Sequence, residues 1–98
     1  MKCKKCGVEM MGLEEHHVWP KFMNNKRGDA PDPNTPSRVS LCFNCHQKKL
    51  HRNIREILRK YSKKPEYKNE HYLWKNIEKE DQEKAIVSVI NKTKEFLK

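Results

Sequence analysis

The sequence is poor in the residues that build a large apolar interior. Hydrophobic residues make up 35% of its 98 positions and aromatic residues 8%, whereas charged residues make up 36%. Short, polar chains bury proportionally little surface, and many of them need a metal or another cross-link in order to fold. The composition therefore predicts one domain, residues 1–98, in which a bound metal would help folding.

Long apolar runs are also missing. No stretch approaches the roughly 20 apolar residues that a transmembrane helix requires, and no apolar run follows the charged N-terminal segment from Met1 to Cys6. The chain carries no lipidation motif, no internal repeat and no low-complexity segment. We therefore expect a cytoplasmic protein that is not secreted and has no membrane partner.

Negative charge is in short supply. The chain has 22 Lys and Arg against 13 Asp and Glu, which gives a net charge of +9. Such an excess favours a polyanionic partner, above all a nucleic acid. An alternative explanation is a surface rich in both Lys and Glu, as in proteins from thermophiles.

The four cysteines form two pairs, Cys3-x-x-Cys6 and Cys42-x-x-Cys45. In a reducing compartment such pairs are more often metal ligands than disulfides. Two such pairs complete the tetrahedral sulfur shell of a structural zinc ion, with no open position for catalysis. An iron–sulfur cluster or a redox dithiol is the alternative. The lysines around the first pair are expected to lower the thiol pKa values.

The rest of the pattern predicts a small α+β fold. Strands are expected at residues 13–18 and 38–41, separated by a loop rich in Asn, Asp, Pro and Gly. Helical periodicity follows the second cysteine pair, and two more helices are expected at residues 66–77 and 81–97, the last with Asp81 as its N-cap. Residues 1–60 would form a zinc-organised core, and residues 61–98 a helical extension packed on it.

Four of the five histidines lie beside segments that a shared zinc ion would bring together. These are His16, His17, His46 and His51. His16 and His17 are neighbours on a strand, so their side chains point to opposite faces unless the chain bends near Pro20. His71 lies outside any pattern and is predicted to be a surface or packing residue.

The order of these motifs resembles a known family. The first cysteine pair, then His-His-Val-Trp-Pro at residues 16–20, a loop, and Val-Ser-Leu-Cys-Phe-Asn-Cys-His at residues 39–46 are similar to the HNH motif of nucleases with the ββα-metal, or His-Me finger, fold. The resemblance runs from Cys3 to His51, about half of the chain. It implies a zinc-stabilised core in which a hairpin and a helix hold one divalent ion over a scissile phosphate.

The resemblance also implies individual roles. His16 matches the first metal ligand, His46 matches the ligand at the start of the helix, and His17 matches the general base that takes a proton from the attacking water. An imidazole suits the last role because its pKa lies near neutrality. The implied cofactors are a structural Zn²⁺ and one catalytic divalent cation, which could be Mg²⁺, Mn²⁺, Ni²⁺ or Zn²⁺.

Two positions depart from the family pattern. The middle Asn of the motif, which in the family usually holds the loop of the general base or helps to bind the metal, falls at Ser37. Asn34, three residues earlier, is the candidate that could replace it. A further ligand often follows four residues after the helix histidine, but that position is Leu50. His51 is the remaining candidate for a third ligand, although in an α-helix it is displaced by about 100° from the expected position.

A basic helix follows the second cysteine pair, and we expect it to contact phosphates. The residues concerned are Lys48, Lys49, Arg52, Arg55 and Arg59. A merely solvated charged face is the alternative. Taken together, the sequence predicts a metal-dependent endonuclease acting on double-stranded DNA, either nicking it or cutting both strands as a homodimer. A non-catalytic zinc module that binds DNA or RNA is the second hypothesis, and a redox or metal-storage protein is the third.

Overall fold

A computed structural model describes all 98 residues, as two strands followed by helices. Strands β1 (Glu14–His17) and β2 (Arg38–Leu41) form an antiparallel hairpin. A π-helical segment, Asn44–Leu50, continues directly into α1 (His51–Tyr61), and α2 (Glu70–Lys75) and α3 (Lys79–Phe96) follow. The predicted small α+β fold is confirmed, and its first half has a ββα-like order.

The hairpin register determines which side chains face the interior. His16 is opposite Val39 and Glu14 is opposite Leu41, so the alternation of the strands buries His16, Val39 and Leu41. The second strand has the bounds that the alternation predicted, and the first is shorter than expected by one residue at each end. A histidine is thus held at an interior position of the sheet.

The N-terminal knuckle, residues 1–9, is fastened to the hairpin through its backbone. The N–H of Cys3 donates to the carbonyl of Val8 at 3.0 Å, and the N–H of Lys4 donates to the carbonyl of Ser40 at 2.9 Å. Gly7 closes the knuckle with φ of 78°, a conformation that glycine adopts at little cost. Because Ser40 immediately precedes Leu41 and Cys42, the bond from Lys4 brings the two cysteine pairs together.

The three helices share one hydrophobic core with the hairpin. Ile54 and Leu58 of α1 are fully buried, as is Val89 of α3, and α3 packs across α1. Leu73 and Trp74 anchor α2 in the same core. The last 38 residues therefore complete the interior that begins at Cys3. No helix has both the length and the apolar character needed to cross a membrane.

Helix boundaries differ from the predicted ones near the C-terminus. The N-cap of α3 is Glu78 and not Asp81, which lies in the first turn, where its negative charge suits the positive end of the helix dipole. Helix α2 begins four residues later than predicted because Asn69 caps it. The Oδ1 of Asn69 accepts hydrogen bonds from the N–H groups of His71 and Tyr72.

Candidate metal centres

The four cysteines meet where the knuckle, β2 and the π-helical segment join. Their Sγ atoms all lie within 4.8 Å of one another, and those of Cys6 and Cys42 are 3.8 Å apart. Tetrahedral zinc with bonds of about 2.3 Å places its sulfur ligands about 3.8 Å apart, whereas a disulfide joins sulfurs at about 2.05 Å. All four cysteines are free thiols. The geometry is consistent with a structural zinc site, and the close grouping favours a single ion over a cluster of several iron atoms.

The thiols differ in how readily they ionise. Burial raises the pKa of Cys3, but hydrogen bonds from the backbone N–H groups of Cys6, Cys42 and Lys5 outweigh it and lower the pKa to about 6. Burial and hydrogen bonds with the other thiols raise the pKa of Cys45 to about 12. Backbone donors, and not the lysine charges expected from the sequence, thus favour the thiolate of Cys3. A second buried thiolate requires a cation beside it.

Three histidines converge in a second cluster. The Nε2 of His46 lies 3.2 Å from the Nδ1 of His16 and 3.0 Å from the Nε2 of His51. Two imidazole ligands on one ion, with bonds of about 2.1 Å, are separated by about 3.0–3.4 Å. The structure therefore brings together the three predicted ligands at the spacing of a shared metal ion. No ligand or ion is part of the structure.

Two carboxylates determine which nitrogens of this cluster carry protons. The Nδ1 of His46 lies 2.8 Å from the Oε1 of Glu14, and the Nδ1 of His51 lies 2.8 Å from the Oε1 of Glu70. A carboxylate only accepts, so each Nδ1 holds the proton and each Nε2 presents a lone pair. The hydrogen bond from His46 lowers the pKa of Glu14 and keeps it ionised. Two lone pairs that face each other at 3.0 Å repel unless a cation lies between them.

His16 also favours a cation. Burial, reinforced by the nearby His51 and His46, lowers the pKa of His16 to about 3. Its ring is thus neutral at physiological pH, the form that binds metal ions. The Nδ1 of His16 is the nitrogen that faces His46, whereas its Nε2 is buried on the other side of the ring without a hydrogen-bond partner in the protein and does not belong to the cluster. The donor set as a whole fits a divalent metal ion that accepts nitrogen ligands.

The π-helical segment explains why His51, and not Leu50, joins His46. In an α-helix, the residue five positions after His46 lies about 140° around the axis from it. Here the N–H of His51 donates to the carbonyl of His46, which is the i→i+5 bond of a π-helix. The extra residue in the turn moves His51 onto the face of His46 and directs Leu50 into the core, where it is fully buried. The third histidine of the cluster is therefore His51, one residue beyond the position that the resemblance to the HNH motif indicated.

A cleft of about 250 Å³ opens above the three histidines. His17 lines it together with His16, although the two are neighbours on β1, and Pro20 and Lys21 form part of the same wall. Partial burial lowers the pKa of His17, and the charges of Lys21 and Arg38 lower it further. A histidine that is neutral and belongs to neither cluster can accept a proton in this cleft.

A buried asparagine, Asn25, stabilises the loop after β1 that forms one wall of the cleft. The sequence did not predict this role. The Nδ2 of Asn25 donates to the carbonyls of Trp19 and Asp29 at 2.8 and 3.0 Å, and its Oδ1 accepts from the N–H of Asp29 at 2.9 Å. Gly28, with φ of 71°, packs against His17, and an added Cβ would lie 3.3 Å from its ring. The crowding of Asn and Gly in this loop was the only sequence signal for it.

Ser37 and Asn34, the two candidates for the family's middle Asn, do not line the histidine cleft. The carbonyl of Ser37 accepts from the N–H of Val18 at 3.0 Å, which fastens the end of β1 through the backbone. Asn34 lies in a separate groove, beside Thr35 and Lys94. The side-chain hydrogen bonds that hold the loop after β1 come from Asn25 and from neither of these two residues.

The basic residues of the predicted helix divide into two groups. Lys48, Lys49 and Arg52 are exposed, whereas Arg55 and Arg59 are partly buried. Arg55 borders a groove that continues from the histidine cleft, and its Nη1 lies 3.4 Å from the Oε1 of Glu70. The structure thus brings Arg55 close to the histidine cluster. The other four do not line the cleft or the groove.

His71 belongs to the cleft, which the sequence did not predict. Its ring packs on Phe22 with 4.7 Å between centroids, and both residues line the cleft that contains His17. His71 is exposed, as expected of a surface histidine, but α2 places it beside the site. All five histidines of the chain therefore surround one cleft.

The chain matches no protein-family model, and neither curated proteins nor solved structures show significant similarity to it.

Removal of the cysteine-bound metal is expected to unfold the protein. The site joins the knuckle, β2 and the first helix, and the remaining core is small. A strong chelator, or the substitution Cys42→Ser, should abolish the cooperative thermal transition seen by circular dichroism, and added zinc should restore it only in the chelated wild type. His51→Ala, which removes a ligand from the other cluster, is the control and should still unfold cooperatively. An unchanged transition after chelation would contradict a structural zinc site.

Loss of the Asn25 side chain is expected to loosen the wall of the cleft. Asn25→Ala leaves the N–H of Asp29 and two carbonyls without their partner, which should lower the free energy of unfolding by about 1–3 kcal/mol. Urea denaturation of the zinc-loaded protein measures this loss. Lys26→Ala, at an exposed neighbouring position, should change stability by less than about 0.5 kcal/mol. Equal effects of the two substitutions would show that the three hydrogen bonds do not stabilise the loop.

Proposed function

We propose that this protein is a metal-dependent endonuclease of the HNH type that hydrolyses phosphodiester bonds in DNA. A structural zinc on the four cysteines organises the fold, and a second divalent ion on His16, His46 and His51 forms the catalytic centre. The observation that carries the proposal is the convergence of three imidazoles, two with tautomers set by carboxylates, beneath a cleft that also presents His17.

The chemistry assigned to the chain's own residues is a proton transfer. His17 accepts a proton from a water molecule, whose oxygen attacks the phosphorus. The bond from phosphorus to the 3′ oxygen breaks, and the 3′ oxygen takes up a proton from solvent. The products are a 5′-phosphate and a 3′-hydroxyl, as the resemblance to the HNH motif implies. A divalent ion at the histidine cluster supplies positive charge that stabilises the phosphate and the leaving oxygen. The lowered pKa of His17 leaves it neutral, as a general base must be.

Three imidazoles limit the choice of catalytic ion. Nitrogen ligands suit zinc, nickel and manganese better than magnesium, which prefers oxygen. We therefore propose that a transition metal, and not magnesium, supports the highest activity.

Duplex DNA is the proposed substrate because the helix that carries two of the clustered histidines also carries exposed, positively charged side chains. Exposed Lys48, Lys49 and Arg52 lie on the helix that carries His46 and His51, where they can contact the phosphate backbone. Such contacts hold the duplex over the cleft without reading its sequence. One copy of the chain has one cleft, so a single copy would nick, and cleavage of both strands would require a homodimer.

The position of Ser37 and Asn34 outside the cleft favours a second candidate function. If Asn25 does not replace the family's middle Asn in positioning His17, the chain would be a zinc module that binds DNA or RNA without cleaving it. The two candidates differ in whether a bound nucleic acid is hydrolysed.

Supercoiled plasmid provides the direct test. Wild-type protein with nickel, manganese or zinc is expected to convert it to the nicked form, and EDTA should abolish the conversion. His17→Ala should lower the nicking rate about 100-fold or more, because a general base contributes about 10²–10⁴ to the rate. The variant should still bind the second ion, since His17 is not among the ligands.

Metal content and circular dichroism separate the possible causes of a negative result. Nicking by folded, metal-loaded His17→Ala at the wild-type rate would show that His17 is not the base. No cleavage by the wild type with any of these ions, together with salt-sensitive plasmid binding, would establish the non-catalytic module.

Salt dependence tests the proposed DNA surface. Each phosphate contact contributes about 0.9 to the slope of log K against log salt. Replacing Lys48, Lys49 and Arg52 together by alanine should therefore reduce the slope by up to about 2.7. The matched control replaces Lys79, Lys84 and Lys98, which are also exposed and lie outside the cleft. Fluorescence anisotropy with a labelled duplex measures both slopes, and equal losses would contradict a localised DNA surface.

A further inference from the structure

Helix α2 reaches the histidine cluster through one carboxylate. The Oε1 of Glu70 lies 2.8 Å from the Nδ1 of His51 and 3.4 Å from the Nη1 of Arg55. The side chain of Glu70 is 15% exposed, whereas that of Glu14, which bonds His46, is 37% exposed. The more deeply buried carboxylate of the cluster thus comes from a helix outside the ββα-like part of the chain.

The hydrogen bond from His51 to Glu70 controls the nitrogen that faces the other histidines. With its Nδ1 proton donated to Glu70, His51 presents the lone pair of Nε2 toward His46 and His16. Without Glu70, the other tautomer and other ring orientations become accessible, and both are unsuitable for a ligand at this position. Carboxylates in this position also make the imidazole more basic, which strengthens its bond to a metal ion.

The fold places Glu70 with little freedom. Asn69 caps α2 immediately before it, and Leu73 and Trp74 are buried in the common core immediately after it. Arg55, one turn after His51 on α1, contacts the same carboxylate oxygen and limits its rotation. His51 and Glu70 therefore each lie on a helix that is packed in the core, and the hydrogen bond between them joins the two helices.

We propose that Glu70 is a positioning residue of the second metal centre and that α2 is a required part of that centre. Glu70 does not touch the ion; it acts through His51. This inference rests on the metal-binding half of the proposed function and not on phosphodiester hydrolysis. The competing explanation is a purely structural ion pair that joins α1 to α2 through Arg55.

Metal affinity distinguishes the two explanations. Protein with zinc on its cysteines is titrated with Ni²⁺ by calorimetry, and with Co²⁺ by visible absorption. Glu70→Ala should weaken binding of the second ion about 10–100-fold. Glu70→Gln, which keeps an acceptor oxygen without the charge, should recover part of the loss. The control is Glu78→Ala, which breaks the ion pair of Glu78 with Lys63 elsewhere on the surface and should leave the affinity unchanged.

A double-mutant cycle shows whether Glu70 acts through His51. On a His51→Ala background, Glu70→Ala should cause no further loss of affinity, because the group that it positions is gone. The same loss on both backgrounds, or an affinity within twofold of wild type for Glu70→Ala alone, would overturn the inference and leave the proposed function intact. If wild-type protein binds no ion beyond the cysteine-bound zinc, the inference and the metal-dependent mechanism both fail.

Discussion

The rest of the structure depends on the meeting of four sulfur atoms at the junction of knuckle, hairpin and helix. Cys42 directly follows β2, and Cys45 directly precedes His46, so the cysteine cluster determines where the first helix begins. The bond between Lys4 and Ser40 aligns the knuckle with the same strand. A site that holds the strand end and the helix start together also fixes the distance between His16 and His46. The cysteine cluster thereby helps to bring two of the three clustered histidines together.

Much of this arrangement was predictable because it is encoded by short spacings. The two Cys-x-x-Cys pairs and the alternation in β2 are local patterns. The meeting of His16 with His46, which are 30 residues apart, was predicted from the resemblance to the HNH motif. The part that could not be predicted depends on tertiary packing. The π-helical turn places Leu50 in the core, and no periodicity in the sequence signals this turn. Glu70 is 19 residues from His51, and no local pattern connects them. Asn25 is one polar residue among many in a loop, and only its burial reveals its role.

Opposing charges in the cleft explain how a strongly basic chain can build a cation site. Glu14 and Glu70 lie behind the histidines, where their negative charge offsets that of an ion. Lys21 lies at the rim of the cleft and Lys48 and Arg52 lie on the exposed side of the helix, whereas Arg55 is paired with Glu70. Negative charge is thus concentrated beside the histidines, although the net charge of the chain is +9.

Because of the π-helical turn, two side chains that are five positions apart in the sequence can lie on the same face of the helix. A helix that can include one wider turn accepts an inserted residue locally, and the residues after the insertion keep their orientation toward the core. A second ligand can then follow the first by four residues in an α-helix or by five residues in a π-helical turn. A sequence motif that requires a spacing of four residues misses the second case. A return to α-helical winding at Asn44–Leu50 would rotate His51 away from His46 and dismantle the cluster while the fold persists.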